Sequence, residues 1–298
     1  EPPEKRGGEM GNCQNTAQPE PAEAEVFVVP EAGISLPVRS KRFGWKPDLP
    51  DHRDRVLALP REAAGRLPPK CDLRPKECFP IYDQGNLGSC TANAICAAFH
   101  FDQIRQNCKD WVPCRLFVYY NERSIENTVD TDSGASLRDG IMCCNKLGVC
   151  AEKLWPYIEE KFTEKPPSQC YETALKTRAT EYARVPQNLD DMKACLNQGW
   201  PFVFGFTVCE SFMTEEVAKT GKVSMPHWRD KALGGHAVIA VGYDDGTQTF
   251  TIRNSWSDAW GDRGYFYLPY AYICHPRLAQ DFWVMKTVEG EPLPTKKP

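Results

Sequence analysis

The hydrophobic pattern of the chain changes from a helical period to a strand period, and this change limits the folds that it can adopt. From Ala94 to Ile104, apolar residues recur at helical spacing and predict a mostly buried helix that begins at Cys90. In the last third, an apolar run from His236 to Tyr243 is followed by turn residues and by an alternating segment that ends at Asn254, which predicts a β-hairpin. Helices followed by strands indicate an α+β fold with a helical first lobe and a β second lobe.

Three further segments extend this division. Ser136 to Leu147 predicts a second helix, ended by Gly148, whereas Gly264 to Leu268 and Phe282 to Val288 predict two more strands. A chain of 298 residues is long enough for two closely packed lobes. We expect the mainly helical lobe over about residues 69–185 and the mainly β lobe over about residues 186–298, with a site at the seam between them.

Residues 1–68 have a different composition, because prolines interrupt every candidate helix there. We call this segment the arm. Within it, Phe43 and Trp45 are two large aromatic residues in a turn-rich stretch, which favours docking onto another surface. We expect residues 40–60 to dock on the remainder of the chain and residues 1–20 to be disordered.

Cys90 is a candidate nucleophile because of its position at a helix amino terminus. A thiol reacts as thiolate, and its ordinary pKa of roughly 8.5 leaves little thiolate at neutral pH. The partial positive charge of a helix amino terminus and a neighbouring imidazolium both stabilise the anion. The glycine-rich turn Gly85-Asn-Leu-Gly-Ser89 delivers Cys90 to that position.

His236 and Asn254 complete the candidate machinery from the β lobe. Gly234 and Gly235 carry no side chain that would block approach to His236 from the opposite lobe. Asn254 ends the neighbouring strand, where its amide oxygen can accept the imidazole N–H and orient the ring. Trp256 can shield that hydrogen bond from water.

Gln84 is the fourth candidate catalytic residue. It lies six residues before Cys90, where its side-chain amide can join the Cys90 backbone N–H as an oxyanion hole.

The segments Gln84-Gly-Asn-Leu-Gly-Ser-Cys90, Gly235-His236-Ala-Val and Asn254-Ser-Trp256, followed by Trp260-Gly-Asp-Arg-Gly-Tyr265, resemble the three signatures of the papain (cathepsin) family in their chain order. The resemblance covers residues 69–298. It implies a two-lobed papain-like fold with a β-barrel-like second lobe, and a cysteine endopeptidase acting through Cys90, His236, Asn254 and Gln84.

The resemblance also implies substrate contacts and a role for the arm. Gly134, in Asp132-Ser-Gly-Ala-Ser136, is the candidate for backbone pairing with substrate, and Trp256 is a second candidate contact. The arm resembles the short arms of prokaryotic and viral relatives more than the pro-regions of animal lysosomal cathepsins. We expect an autoinhibitory arm in or near the cleft, as in a zymogen, and a monomeric protein. Asp281 falls near the floor of the family's main specificity pocket, a position that we take as coincidence.

Two residues depart from the family pattern. Leu87 and Thr91 stand where the family usually has a disulfide cysteine and a tryptophan, so the usual pairing beside the nucleophile cannot form. Two other functions stay open, an acyltransferase that uses the same thiol chemistry and a catalytically silent, peptide-binding relative.

Composition excludes several other classes of function. A net charge of −4 and a pI near 5.8 give no overall attraction for nucleic acid. No stretch approaches the roughly 18 apolar residues of a membrane span, and residues 1–25 do not read as a signal peptide. The 14 cysteines include no C-x-x-C pair, so we expect neither a metal nor a cofactor. The compartment stays open between secreted or lysosome-like and cytoplasmic or virion.

Overall fold

The computed structural model of the chain describes residues 43–59, 67–76 and 79–289. Residues 1–20, expected to be disordered, lie outside these ranges. Strands β1 to β9 are Trp45–Lys46, Lys70–Asp72, Ala135–Ser136, Ala179–Arg184, Phe202–Cys209, Ala232–Asp244, Thr249–Arg253, Tyr265–Pro269 and Ala279–Val288. Helices α1 to α7 are Cys90–Arg105, Arg115–Ile125, Leu137–Lys146, Ser168–Ala174, Leu189–Asn197, Glu215–Thr220 and Tyr270–Ile273.

Helices α1, α2 and α3 pack on one another and form the first lobe. Helix α1 is alanine-rich and buried over most of its length, as the sequence predicts for a helix that other elements surround. Helix α3 begins where Ser136 caps it, because the Ser136 hydroxyl accepts a hydrogen bond from the Asp139 amide at 3.2 Å. The predicted helix over 136–147 is therefore confirmed to within one residue at each end.

A seven-stranded sheet forms the second lobe. Its strand order is β4-β9-β5-β6-β7-β8, and β2 pairs with β6 beside this path; all of these pairs are antiparallel. The predicted hairpin is confirmed as β6 and β7, in which Ile239 pairs with Arg253. The expected α+β division holds, with one difference: β2 and β4 come from residues assigned to the helical lobe, because their edge positions complete the sheet.

Strand β5 supplies the centre of the β lobe, and sequence reasoning did not identify it. Its alternate residues Phe202, Phe204 and Phe206 are fully buried. The ring of Phe202 lies about 6 Å from those of Phe204, Phe250 and Phe282. Helix α1 packs on β6 and β9 of this sheet, so the two lobes share one core.

Replacing Phe202 by alanine leaves a cavity at the centre of the β lobe. We expect Phe202→Ala to lower the free energy of unfolding by about 3–5 kcal/mol, measured by chemical denaturation. Leu175→Ala is the matched control, because Leu175 is 54% exposed and its truncation leaves no cavity. Equal stabilities of the two variants would contradict this account of the core.

Candidate active site

Cys90 is the first residue of α1 and is completely buried. The helix start is held by Asn93, whose Nδ2 donates to the Ser89 carbonyl at 2.9 Å, and by the Ser89 hydroxyl, which contacts the Tyr157 hydroxyl at 2.6 Å. The backbone amides of Ala237, Gly44 and Thr91 surround the Cys90 thiol, and each of them lowers its pKa. Because Ala237 directly follows His236 on β6, the structure brings the two predicted motifs together.

The imidazole of His236 is fixed by an amide and two aromatic rings. Its Nε2 lies 2.8 Å from Asn254 Oδ1, and the Trp256 ring stacks on it at 4.8 Å between centroids. Phe206 meets the imidazole edge-on at 5.8 Å. His236 and Asn254 are both buried, so their hydrogen bond is shielded from water, as predicted for Trp256. Because Nε2 faces Asn254, Nδ1 is the nitrogen on the other side of the imidazole ring.

Gln84 connects the two lobes at the seam. Its backbone N–H donates to the Ser255 carbonyl at 2.9 Å, and the Ser255 hydroxyl donates to Gln84 Oε1 at 2.7 Å. The Gln84 Nε2 group donates to the Leu87 carbonyl at 2.8 Å, inside the turn that leads to Cys90. These contacts join Gln84 to Ser255, which follows Asn254, and to the turn that leads to Cys90.

Residues 43–46 of the arm lie in the same cleft. Strand β1 pairs in parallel with β3, and the Ala135 amide donates to the Gly44 carbonyl at 2.8 Å. Gly134 adopts a positive φ of 68°, and a Cβ there would lie 1.9 Å from the Gly44 oxygen. The structure therefore places Gly134 against a backbone in the cleft, whereas the hydrogen bond to that backbone comes from the next residue, Ala135.

The arm side chains fill space on both sides of Gly44. The Phe43 ring lies 6.4 Å from the His236 ring. The Trp45 indole lies over Gly205 and Gly235, where a Cβ would come within 1.9 and 2.5 Å of Trp45 atoms. Its Nε1 donates to Asp281 Oδ2 at 3.2 Å. Asp281, taken as coincidental from the sequence, thus lies at the end of the space that Trp45 occupies.

Charged groups continue this contact beyond the cleft. Asp48, whose side chain is fully buried, accepts from Arg184 at 2.8 Å and from Trp283 Nε1 at 2.9 Å. Asp54 accepts from Arg184 and from Arg138, each at 2.6 Å. We call Asp48, Asp54, Arg138, Arg184 and Asp281 the arm charge cluster. Burial and the neighbouring Asp48 raise the pKa of Asp281, and Arg184 opposes that shift.

Burial also controls the state of the nucleophile. It raises the pKa of the Cys90 thiol to about 12, although the amides of Ala237 and Gly44 work in the opposite direction. Burial therefore outweighs these amides and favours the thiol of Cys90 over the thiolate that the sequence led us to expect.

The comparisons with known proteins agree with this geometry. The model of the papain family cysteine proteases matches residues 67–280. The chain belongs to the papain family. It is 41% identical over 273 residues to an uncharacterised peptidase C1-like protein of Acanthamoeba polyphaga mimivirus, which covers 84% of this chain and 88% of the viral protein.

Solved structures of the family show the same fold. Xylellain, a cysteine protease from Xylella fastidiosa, superposes with a TM-score of 0.80 at 45% identity, covering 84% of this chain and 97% of xylellain. Procathepsin B S9 of Trypanosoma congolense superposes with a TM-score of 0.67 at 18% identity over 82% and 85% of the two chains. The expected likeness to bacterial and viral members is confirmed, and the chain is a cysteine peptidase that acts on polypeptides.

The structure also bears on membrane and metal binding within the ranges it describes. None of the helices there combines the length and apolarity needed to cross a lipid bilayer. The same residues form no group of three His, Cys, Asp or Glu side chains arranged to hold a metal. The twelve cysteines between Cys71 and Cys274 that fall in this part of the chain are free thiols.

At the two positions that depart from the papain-family pattern, Leu87 and Thr91, the structure shows contacts that the sequence did not predict. Leu87 is buried, and its carbonyl accepts from Gln84. The Thr91 hydroxyl donates to Glu122 Oε1 at 2.6 Å, inside the helical lobe. Burial raises the pKa of Glu122 well above its usual range, with Thr91 opposing the shift. A glutamic acid whose ionisation is disfavoured by burial therefore contacts Thr91, on the helix that carries Cys90.

This raised pKa makes the stability of the protein depend on pH. The folded state holds a proton on Glu122 that the unfolded chain releases above about pH 4.3, so Glu122 costs stability as the pH rises through that value toward the folded pKa. Glu122→Gln, which is neutral at every pH, should raise Tm more at pH 8 than at pH 5. Thermal denaturation at both pH values measures this, with the exposed Glu172→Gln as control. An equal effect at both pH values would show that Glu122 is charged in the fold.

Proposed function

We propose that this papain-family protease cleaves polypeptide chains internally through an acyl-enzyme on Cys90. The observation that carries the proposal is that Asn254 orients the His236 ring at 2.8 Å, and that the amide of the next residue, Ala237, lowers the pKa of the Cys90 thiol. In the proposed reaction, His236 Nδ1 takes the thiol proton, and the sulfur attacks the substrate carbonyl carbon. The imidazolium then gives its proton to the leaving amine, and water hydrolyses the thioester.

Gln84 is proposed to stabilise the oxyanion together with the Cys90 backbone amide. An amide nitrogen is a neutral hydrogen-bond donor of the kind that an oxyanion hole requires, and Gln84 Nε2 lies in the turn that leads to Cys90, where it donates to the Leu87 carbonyl. The hydrogen bonds at its oxygen and its backbone hold the donor rigidly, which is the condition for such a group to lower a barrier. Trp256 is proposed to act through His236, on which it stacks, and to contact substrate where it now lies near Phe43.

We further propose that the arm, residues 1–68, restrains the peptidase domain of residues 69–298. The Gly44 amide lowers the pKa of the Cys90 thiol, and the Gly44 carbonyl accepts a hydrogen bond from the Ala135 amide. The arm is therefore proposed to cover Cys90 while its Gly44 carbonyl is held by Ala135. A substrate has to displace it before the Cys90 sulfur is exposed.

The arm charge cluster supports this proposal. Asp48 and Asp54 bring two negative charges to Arg138 and Arg184, and Asp48 is shielded from water. Breaking one partner out of a buried ion pair is costly, because the remaining charge is left without compensation. Release of the arm therefore exposes all of these charged groups to water at once, so the arm is proposed to detach in a single cooperative step.

The protein is proposed to act as a monomer, and nucleic acid is not among its proposed partners.

Replacing Cys90 by alanine removes the proposed nucleophile. We expect Cys90→Ala to abolish hydrolysis of a peptide substrate, because no other group can form the thioester. Cys96→Ala is the matched control on the same helix, since Cys96 is equally buried but lies outside the seam. Retained turnover in purified Cys90→Ala protein would refute the proposed function.

Replacing Trp45 by alanine weakens the docked arm. A Trp→Ala change in packed surroundings costs about 3–5 kcal/mol, so we expect turnover of the full-length chain to rise about a hundredfold or more. Alkylation of Cys90 by iodoacetamide should accelerate too, because water regains access to the thiol and lowers its pKa. Leu49→Ala is the control within the arm, as that side chain is 80% exposed. Unchanged turnover and alkylation in Trp45→Ala would rule out a restraining arm.

A further inference from the structure

The cleft beside Cys90 is narrow at the point where Gly44 crosses it. A Cβ on Gly44 would lie 1.7 Å from the Gly88 oxygen, and a Cβ on Gly134 would lie 1.9 Å from the Gly44 oxygen. One glycine residue of the arm therefore fills the distance between the two walls. We call the space between Gly88 and Gly134 the slot. Its width matters because Gly88 lies two residues before Cys90.

The two walls are tied together by a carboxylate and a phenol. The Gly88 amide donates to both oxygens of Asp132, at 3.0 Å each. The Tyr119 hydroxyl donates to Asp132 Oδ1 and accepts from the Gly134 amide at 3.2 Å. The chain Gly88–Asp132–Tyr119–Gly134 thus crosses from one wall of the slot to the other without passing through the slot itself.

The core of the helical lobe holds this tie in place. Tyr119 lies on α2 and is fully buried. The Arg123 guanidinium lies 4.0 Å from the Tyr119 ring centroid and donates to the carbonyls of Val129 and Thr131, so it also fixes the loop that leads to Asp132. Burial and the neighbouring Asp132 raise the pKa of Tyr119, which keeps its hydroxyl protonated and able to donate.

We propose that Asp132 and Tyr119 are positioning residues that set the width of the slot and thereby the grip of the protease on a peptide backbone. The inference rests on the proposed function, because it takes the substrate to occupy the space that Gly44 fills. Neither residue touches the reacting atoms. They act by fixing the distance between Gly88 and Gly134 at the width of one peptide backbone. A bound strand then contacts both walls at once, and the Gly88 wall leads directly to Cys90.

The test compares two reagents that react with the same thiol in the full-length chain. Iodoacetamide needs only the thiolate, whereas an epoxysuccinyl peptide also needs the slot to hold its backbone. The ratio of the two labelling rates cancels effects on the thiol pKa and on arm release. We expect Tyr119→Phe to lower the peptide-to-iodoacetamide ratio about tenfold or more, because both hydrogen bonds of the Tyr119 hydroxyl, to Asp132 and from Gly134, are lost. Tyr120→Phe, the next residue on α2, should leave the ratio unchanged.

Asp132 variants provide a graded second measurement. Asp132→Ala removes the tie to both walls and should lower the ratio at least as far as Tyr119→Phe. Asp132→Asn keeps one oxygen that can accept from Gly88, so it should retain more of the ratio than Asp132→Ala. Thermal denaturation of each variant reports on folding, and labelling is scored only on Cys90 by mass spectrometry.

The outcomes separate this inference from the proposed function. If both reagents label wild-type Cys90 and the ratio is the same in Tyr119→Phe and Asp132→Ala, the tie is merely structural and the inference is wrong. A lowered Tm with an unchanged ratio leads to the same conclusion. If neither reagent labels Cys90 in the wild-type or Trp45→Ala chain, the proposed nucleophile fails instead.

Discussion

The crossing of the Gln84 turn over the end of the β-hairpin is the contact on which the active site depends. Asp83 forms an antiparallel bridge with Trp256, and Gln84 exchanges backbone and side-chain hydrogen bonds with Ser255. Cys90 lies six residues after Gln84 in the helical lobe, and Asn254 directly precedes Ser255 in the β lobe. This crossing therefore fixes the start of α1 relative to the sheet that carries Asn254. Such accuracy matters because a misplacement of about 1 Å can reduce a rate about 100-fold.

The covered state follows from the same construction. A site built to surround a peptide backbone also binds the chain's own backbone, provided that a segment without a Cβ is available. Gly44 supplies that segment, while Phe43 and Trp45 fill the wider spaces on either side. In the proposed mechanism, the arm contributes to the burial that raises the pKa of the Cys90 thiol. Latency and chemistry are then proposed as two states of one cleft, which differ in whether the arm or water occupies it.

The sequence was sufficient for the parts of the fold whose pattern is local. The helix after Cys90 could be predicted because it is a long, alanine-rich apolar run that follows a glycine-rich turn, and the hairpin around Asn254 because its residues alternate and its turn carries turn residues. Strand β5 could not, because Phe202–Cys209 is apolar on both faces, and such a run does not distinguish a buried strand from a buried helix. The four motif residues were found because their types, order and spacing are rare together. Their roles still rest on the proposed experiments.

The supporting residues were invisible for a different reason. Asp132, Tyr119 and Glu122 are common residue types, and only the tertiary fold decides what they contact: Gly88 and Asp132 are 44 residues apart, and Thr91 and Glu122 are 31 apart. A nucleophile and its base have to be particular side chains, because the reaction requires particular atoms. A hydrogen-bonded connection between two walls requires only a fixed length and matching donors and acceptors. A carboxylate with a phenol meets these requirements, and so do other pairs of side chains. Motifs therefore report the reaction, whereas the geometry that sets its rate and selectivity is carried by residues that only a structure brings together.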